Sequence, residues 1–268
     1  MAHKSTTDAL GSTILAYWDE RARTYSNGVR GELSDGRHCA WQRALGRAAS
    51  GSIVAASMEG RTARALDLGC GPGFFTVLLA EEGCEVDAVD MSSEMLDRAR
   101  ANAAAEVPEA CVSFHQCDAS NLPFDDESFD IVVSRNLTWL MRDPEGAYAE
   151  WLRVLRPGGK LVVFDANWYR YLVDEQIDSA RRSDQEQTTL ECYDEDSVAT
   201  DAQSLRCERI ALELPLTSIM RPQWDVAVLE RLGASWVSAD EDVWMDIWTE
   251  SEQAFYASSP LFMIEALK

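Results

Sequence analysis

Apolar and polar positions keep two different periods in turn along residues 63–166. Short aliphatic and β-branched runs at 65–68, 85–89, 112–115, 131–134 and 160–164 predict strands. Between them, 75–82 sets apolar residues on one face and 93–104 is charged and alanine-rich. The stretch 144–155 repeats Ala147, Trp151, Val154 and Leu155 at helical spacing. Arg156-Pro157-Gly158-Gly159 then reads as a helix-ending turn. Strands alternating with helices predict an α/β fold with a parallel sheet. Two helices are expected ahead of it, near 8–24 and 36–57. After residue 166 the rhythm breaks into an acidic stretch, 172–208, and apolar runs at 234–238 and 261–267 predict a closing hairpin. With no internal repeat and no Gly/Ser linker, the reading is one domain. It divides into N-terminal helices (1–60), a core (61–166), an acidic cap insertion (167–232) and closing strands (233–268).

Composition narrows the function. With 46% apolar residues the 268-residue chain is not expected to be disordered. No run of 18 apolar residues exists to cross a bilayer. The 24 basic residues against 46 acidic ones give −22, which opposes nucleic-acid and anionic-membrane partners, whose phosphates need Lys and Arg. The imbalance is uneven: −8 over residues 1–164 and −14 over 165–268. Such a C-terminal cover would favour a neutral or cationic ligand through the summed field. Residues 1–8 carry no apolar signal region, and the seven cysteines form no CxxC pair, so reduced thiols and a cytoplasmic location are expected.

The chemistry concentrates in Ala65-Leu66-Asp67-Leu68-Gly69-Cys70-Gly71-Pro72-Gly73-Phe74. A buried strand runs into a glycine turn and straight into a helix, so backbone N–H groups can approach a ligand closely. Phe74 stands where a dinucleotide fingerprint has its third glycine, and Asp67 would repel a pyrophosphate while attracting an ammonium group. Cys70 reads as a small filler of the turn rather than a nucleophile.

This block resembles motif I of the class I S-adenosylmethionine-dependent methyltransferases, in particular their small-molecule, UbiE/BioC-like branch. Three further blocks resemble the family in order: Asp90-Met91, 17 residues past Gly73; Gln116-Cys117-Asp118-Ala119; and Phe129 to Ser134 with Leu155 to Leu161. The resemblance covers about 60–166. It implies a Rossmann-like, doubly wound, mostly parallel seven-stranded sheet, with S-adenosylmethionine as cofactor. It places Asp67, Gly69, Cys70, Gly71, Gly73 and Arg135 around the cofactor, with Asp90 on its ribose hydroxyls. Met91 and Ala119 would then lie on the adenine ring, and Asp118 would accept from its amino group. Tyr17 to Tyr25 resembles the family's N-terminal lid helix, with Tyr25 at the methionine end and Arg30 able to meet its carboxylate.

The acceptor pocket is expected outside the carboxyl ends of the strands. Two segments leave strands there with an amide beside an indole, Arg135-Asn136-Leu137-Thr138-Trp139 and Asp165-Ala166-Asn167-Trp168-Tyr169, and Arg221-Pro222-Gln223-Trp224-Asp225 in the C-terminal additions is a third candidate. Asn136, Trp139, Asn167, Trp168, Tyr169, Arg221 and Trp224 are therefore the candidate substrate-binding residues, with the identity of any catalytic residue left open. His3, in a terminal tail, and His115, mid-strand, are poorly placed as bases, His38 on a helix before the sheet stays open as one, and no metal-ligand spacing occurs. The implied function is in-line methyl transfer to a small molecule. The alternatives are a non-catalytic S-adenosylmethionine-binding module, and an aminopropyl transferase, whose usual Asp pair is replaced by Arg135-Asn136.

Overall fold

The computed structural model describes residues 9–188 and 198–268; the sequence-stretch 1–8 with His3, and Cys192 in the acidic cap, lie outside the described residues. Seven strands form one sheet in the order β3-β2-β1-β4-β5-β7-β6. β1 (Arg64–Leu68), β2 (Glu85–Asp90), β3 (Val112–Gln116), β4 (Phe129–Arg135) and β5 (Leu155–Asp165) are parallel. β7 (Phe262–Leu267) runs antiparallel between β5 and the edge strand β6 (Trp236–Asp240). Ile131, Val132 and Val133 of β4 and Leu161 to Phe164 of β5 are all fully buried. Burial on both faces is why these strands read as unbroken apolar runs instead of alternating ones.

Helices cover both faces. α1 (Ala9–Ser34) and α2 (Gly36–Met58) precede the sheet; α3 (Phe74–Glu81), α4 (Ser93–Glu106) and α5 (Pro144–Val154) make the crossovers. α3 buries seven of its eight residues, being wedged between α2 and the sheet. Ser92 caps α4 by accepting from the Met95 N–H, and Asp143 caps α5 ahead of a proline in its first turn. Because the chain steps from β1 out to β3 and returns to β4, the order reverses between β1 and β4. A crevice at that point is where open α/β sheets bind ligands.

The structure departs from the sequence reading in three places. α1 continues ten residues past 24, through Gly28 and Gly31, because Val29 and Leu33 bury against Trp41. That packing outweighs roughly 1 kcal/mol of helix propensity per glycine. Arg156 to Gly159 is a bulge inside β5 rather than a helix-ending turn: Leu155 pairs with Phe129 and Lys160 with Ile131, and the four residues between bow outward. The closing strands are no simple hairpin, since α9 (Val243–Ile247) and α10 (Glu250–Phe255) are inserted between β6 and β7. Residues 167–232 hold α6 (Glu175–Gln187), α7 (Asp201–Leu212) and α8 (Gln223–Arg231), and α6 buries none of its residues completely.

Candidate active site

The glycine turn is built for close approach. Gly69, Gly71 and Gly73 have φ of +59°, +52° and +89°, in the left-handed region. A Cβ at Gly69 would lie 2.6 Å from Leu137 Cδ1 and one at Gly73 3.1 Å from Ala99 Cβ, so the turn also packs where side chains cannot. The Gly71 N–H donates to Asp90 Oδ2 at 2.9 Å, and the Ser92 N–H donates to Oδ1 at 2.8 Å. Burial pushes the Asp90 carboxyl up to about 6, against the pull of those backbone N–H groups. Asp67 is more enclosed: the Thr76 hydroxyl donates to it at 2.6 Å, and burial pushes it up to about 7. Cys70 is buried near both carboxylates, and its thiol is held well above its usual range, which leaves no thiolate to act as a nucleophile.

A cavity of about 380 Å³ opens on this turn at the β1/β4 switch point. Of the residues predicted for the cofactor, Tyr25, Gly69, Gly71, Asp90, Met91, Asp118, Ala119 and Arg135 line it. Asp67, Cys70 and Gly73 are not part of the lining and shape the turn from behind. Arg135 pairs with Glu32 at 2.7 Å and sits over the Trp41 and Phe74 rings at 4.3 and 4.6 Å. Asp118 accepts from the Ser120 N–H and hydroxyl on Oδ1, with Arg142 at 3.7 Å from Oδ2. Ile14, Leu15 and Trp18 of α1 close the cavity from above. Arg30 does not reach it, because its guanidinium is turned away to Asn27 in a separate cleft beside α4.

Behind a shared wall of Trp18, Tyr25 and Asn136 lies a second cavity of about 350 Å³, an aromatic vestibule. Predicted residues Trp139, Trp168 and Tyr169 line it beside Tyr171, Phe255 and Tyr256, and Arg181 is its one charged lining residue among the described residues. The Trp139 and Tyr169 ring centroids are 4.7 Å apart, and Trp168 meets Tyr256 edge-on at 5.9 Å. At the shared wall Asn136 has left-handed backbone (φ +56°), and its amide hydrogen-bonds Tyr25. Its Oδ1 and the Trp18 Nε1 are buried without a partner among the described residues. Two unpaired buried polar groups at one wall are costly in the empty protein. The hydroxyls of Tyr25, Tyr169, Tyr171 and Tyr256 are all raised by burial, Tyr256 to about 12, so each is held in its donor form.

Three sequence-predicted substrate residues serve the frame instead. Arg221 is 2% exposed and donates to Asp165 at 2.6 Å and Asp225 at 2.9 Å, with Tyr148 donating to Asp225 at 2.6 Å. Trp224 packs beside Tyr148 in the core, and Asn167 spends its amide on the Arg221 backbone, donating to its carbonyl and accepting from its N–H. None of the three lines either cavity. Their work is indirect: Asp165, the acceptor of Arg221, also receives the Trp139 main-chain N–H at 3.1 Å and the Trp168 Nε1–H at 3.0 Å, which fixes the Trp168 indole and the backbone that carries Trp139. His38 and His115 bind Glu81 and Asp87 away from the cavities. Among the described residues no group of three His, Cys, Asp or Glu side chains could hold a metal, and no helix is long and apolar enough to cross a membrane. Sequence reading missed Phe255, Tyr256 and the two serines Ser258 and Ser259, which the insertion between β6 and β7 delivers to the vestibule.

Residues 66–163 match the model of a family described as a methyltransferase domain. A demethylmenaquinone methyltransferase of Clavibacter sepedonicus is 36% identical over 56% of this chain and 56% of its own length. A malonyl-[acyl-carrier protein] O-methyltransferase of Enterobacter lignolyticus is 36% identical over 44% of each chain. The chain thus spans about half the length of the curated relatives it matches. Among solved structures, Haemonchus contortus phosphoethanolamine N-methyltransferase 2 in complex with S-adenosyl-L-methionine shares the fold. It has a TM-score of 0.51 and 17% identity, over 77% of this chain and 49% of that one.

Proposed function

Because the chain carries a class I S-adenosylmethionine-dependent methyltransferase domain, whose cofactor is S-adenosylmethionine, we propose that the protein methylates a small amine. The reading rests on one observation above the rest: the cavity on the glycine turn and the aromatic vestibule meet at Trp18, Tyr25 and Asn136. The first cavity suits the cofactor. Each Asp90 oxygen accepts one backbone N–H and keeps lone-pair capacity for a ribose hydroxyl. Ile14, Leu15 and Met91 offer apolar surface to a flat ring, and the Asp118 carboxylate stands at the same end. At Gly71 the missing side chain leaves the backbone open toward Tyr25, whose Cε1 is 3.8 Å from where a Cβ would be.

When bound, S-adenosylmethionine supplies an electrophilic methyl on a sulfonium, which an acceptor lone pair takes by in-line displacement while the bonding electrons leave with sulfur. The chain's own residues supply placement and dryness. In this reading α1 is the lid over the cofactor cavity, and residues 167–232 together with α10 cover the acceptor. Trp18, Tyr25 and Asn136, which line both cavities, would stand between the cofactor and the acceptor. Among the described residues no lining side chain of the vestibule accepts a proton readily: there is no His, Asp or Glu, and the tyrosines hold their protons. The acceptor must therefore bring a lone pair that is free near neutral pH. A weakly basic amine, unprotonated at that pH, does so, and its product ammonium is stabilised by the surrounding aromatic faces, by about 0.5–2 kcal/mol per contact. Arg181, stacked on Tyr171 at 3.9 Å, suits a polar or anionic group at the acceptor's far end.

A labelled-methyl screen over panels of amines, thiols and phenols tests this. Turnover confined to amines is expected. Turnover confined to phenols would refute the reading, as would no turnover on any panel by a protein that binds S-adenosylhomocysteine in calorimetry.

A further inference from the structure

Arg23, Arg30 and Arg98 have no carboxylate partner among the described residues, in a chain where acidic side chains outnumber basic ones 46 to 24. Other surface arginines behave differently: Arg47, Arg61, Arg100, Arg153 and Arg231 each reach an Asp or Glu within 3.2 Å. Arg43 and Arg209 also lack a carboxylate among the described residues but line no cleft with them, whereas Arg23, Arg30 and Arg98 converge. α1 contributes Arg23, Asn27 and Arg30 from one face, and α4 contributes Arg98 and Asn102 from the facing one. Together they surround a cleft of about 310 Å³ that shares no lining residue with the cofactor cavity. Asn27 Oδ1 accepts from Arg30 at 2.6 Å and fixes that guanidinium. Asn102 donates to the Pro72 carbonyl at 2.9 Å, so the floor of the cleft is tied to the glycine turn.

Three like charges held around one concavity repel one another unless an anion sits between them, and guanidinium forks match the oxygens of a phosphate group. We propose that this cleft is a binding site for a small phosphate-type oxyanion of diphosphate size, which bridges α1 to α4. The bridge has a consequence for the neighbouring cavity. Ile14, Leu15, Trp18 and Tyr25 of α1 close the cofactor cavity, and α4 begins beside Asp90. An anion that clamps the two helices together favours the closed cavity, and by linkage a ligand in the cavity favours the anion equally.

Calorimetry on the full chain tests the proposal, with pyrophosphate and inorganic phosphate as free anions and glycerol 3-phosphate as an esterified one. Chloride at matched ionic strength serves as background. Saturable binding is expected, and the tightest of the three identifies the source of the phosphate. In Arg23→Gln/Arg98→Gln it weakens at least about tenfold, since each lost charge-assisted hydrogen bond is worth about that much. Arg43→Gln, a lone exposed arginine elsewhere on α2, leaves it unchanged. S-adenosylhomocysteine binds about fivefold tighter with the anion present, the lower end of ordinary coupling. Absence of binding at millimolar concentration, or equal binding in the double variant, would overturn the site. Equal S-adenosylhomocysteine affinity with and without the anion would overturn the clamp.

Discussion

Replacing Asp90 by Asn alters the cofactor cavity at one atom while keeping its shape. In the native turn one carboxylate oxygen takes the Gly71 N–H at 2.9 Å and the other the Ser92 N–H at 2.8 Å. A carboxylate has about four acceptor sites, so about two remain for a ribose hydroxyl pair. The amide keeps a single acceptor oxygen and turns an NH₂ group toward a backbone N–H or a ligand hydroxyl. Hydrogen bonds to charged groups contribute about 1.5–3 kcal/mol each, so Asp90→Asn should weaken S-adenosylhomocysteine binding on the order of 10- to 150-fold. The pH profile gives an independent check. Burial sets the Asp90 carboxyl at about 6, while hydroxyl donors on the ligand favour its charged form. Affinity should therefore climb as pH rises toward 6, and the Asp67 carboxyl, at about 7, should extend the climb. The Asn variant loses the lower part of that slope and keeps the upper part. Calorimetric titration from pH 5 to pH 8 measures both. A variant with native affinity, or one that keeps the slope below pH 6, would refute the assignment of Asp90 to the ligand.

Three further changes probe the frame. Arg221→Met leaves Asp165 and Asp225 buried without their cation, which should cost about 3–5 kcal/mol in urea denaturation; a loss below about 1 kcal/mol would show that the pair is dispensable. Gly69→Ala combines a positive φ with a contact 2.6 Å from Leu137, so it should destabilise by more than the roughly 1–2 kcal/mol of a left-handed alanine. Adding Leu137→Ala should relieve the collision at Gly69 and leave the dihedral strain, as thermal denaturation would report. Asp67 is raised from an unfolded value near 3.8 to about 7, so the folded state holds the extra proton. Stability from this residue is therefore present at acid pH and lost as pH rises from about 4 to about 7. Asp67→Asn should flatten that decline and gain on the native chain at pH 8, with about 1.4 kcal/mol per pKa unit as the ceiling. A variant with the native pH profile would contradict the burial of that carboxyl.

The sheet and the cofactor cavity were legible because each is encoded by contiguous residues. β1, the glycine turn and α3 occupy one stretch from Arg64 to Glu81, where period and turn chemistry speak together. Asp90 and Asp118 each follow a strand at the carboxyl edge, so placing the strand places the side chain. The vestibule is assembled differently, from α1, the turn after β4, the segment after β5, α6, and the stretch after α10. No local pattern announces that Tyr256 will meet Trp168, because the encounter is decided by how the β6–β7 insertion folds back. Arg221 misled for a related reason. A guanidinium beside a tryptophan in sequence suits a pocket as well as a buried ion pair, and only the positions of Asp165 and Asp225 decide between them.

The same distinction revises what the charge means. The C-terminal excess of acid suggested a cover that attracts a cationic acceptor. Yet the vestibule has no acidic lining residue among those described, and Arg181 is its charged group. Among the described residues Asp174 and Asp178 pair with Arg170, Arg181 and Arg182, Asp165 and Asp225 are consumed by Arg221, and Asp184 and Glu208 accept from Ser258 and Tyr171 of the vestibule wall without lining it. Any preference for a cation at the reacting end then comes from aromatic faces at van der Waals range, which salt screens weakly. The surface charge acts over a Debye length and affects the encounter rate. Raising the ionic strength should therefore lower kcat/KM for an acceptor that carries a cation apart from its reacting nitrogen, through association, while leaving its saturation rate unchanged. A saturation rate that falls in step with kcat/KM would place a carboxylate at the reacting end of the vestibule, where the structure sets indoles and phenols.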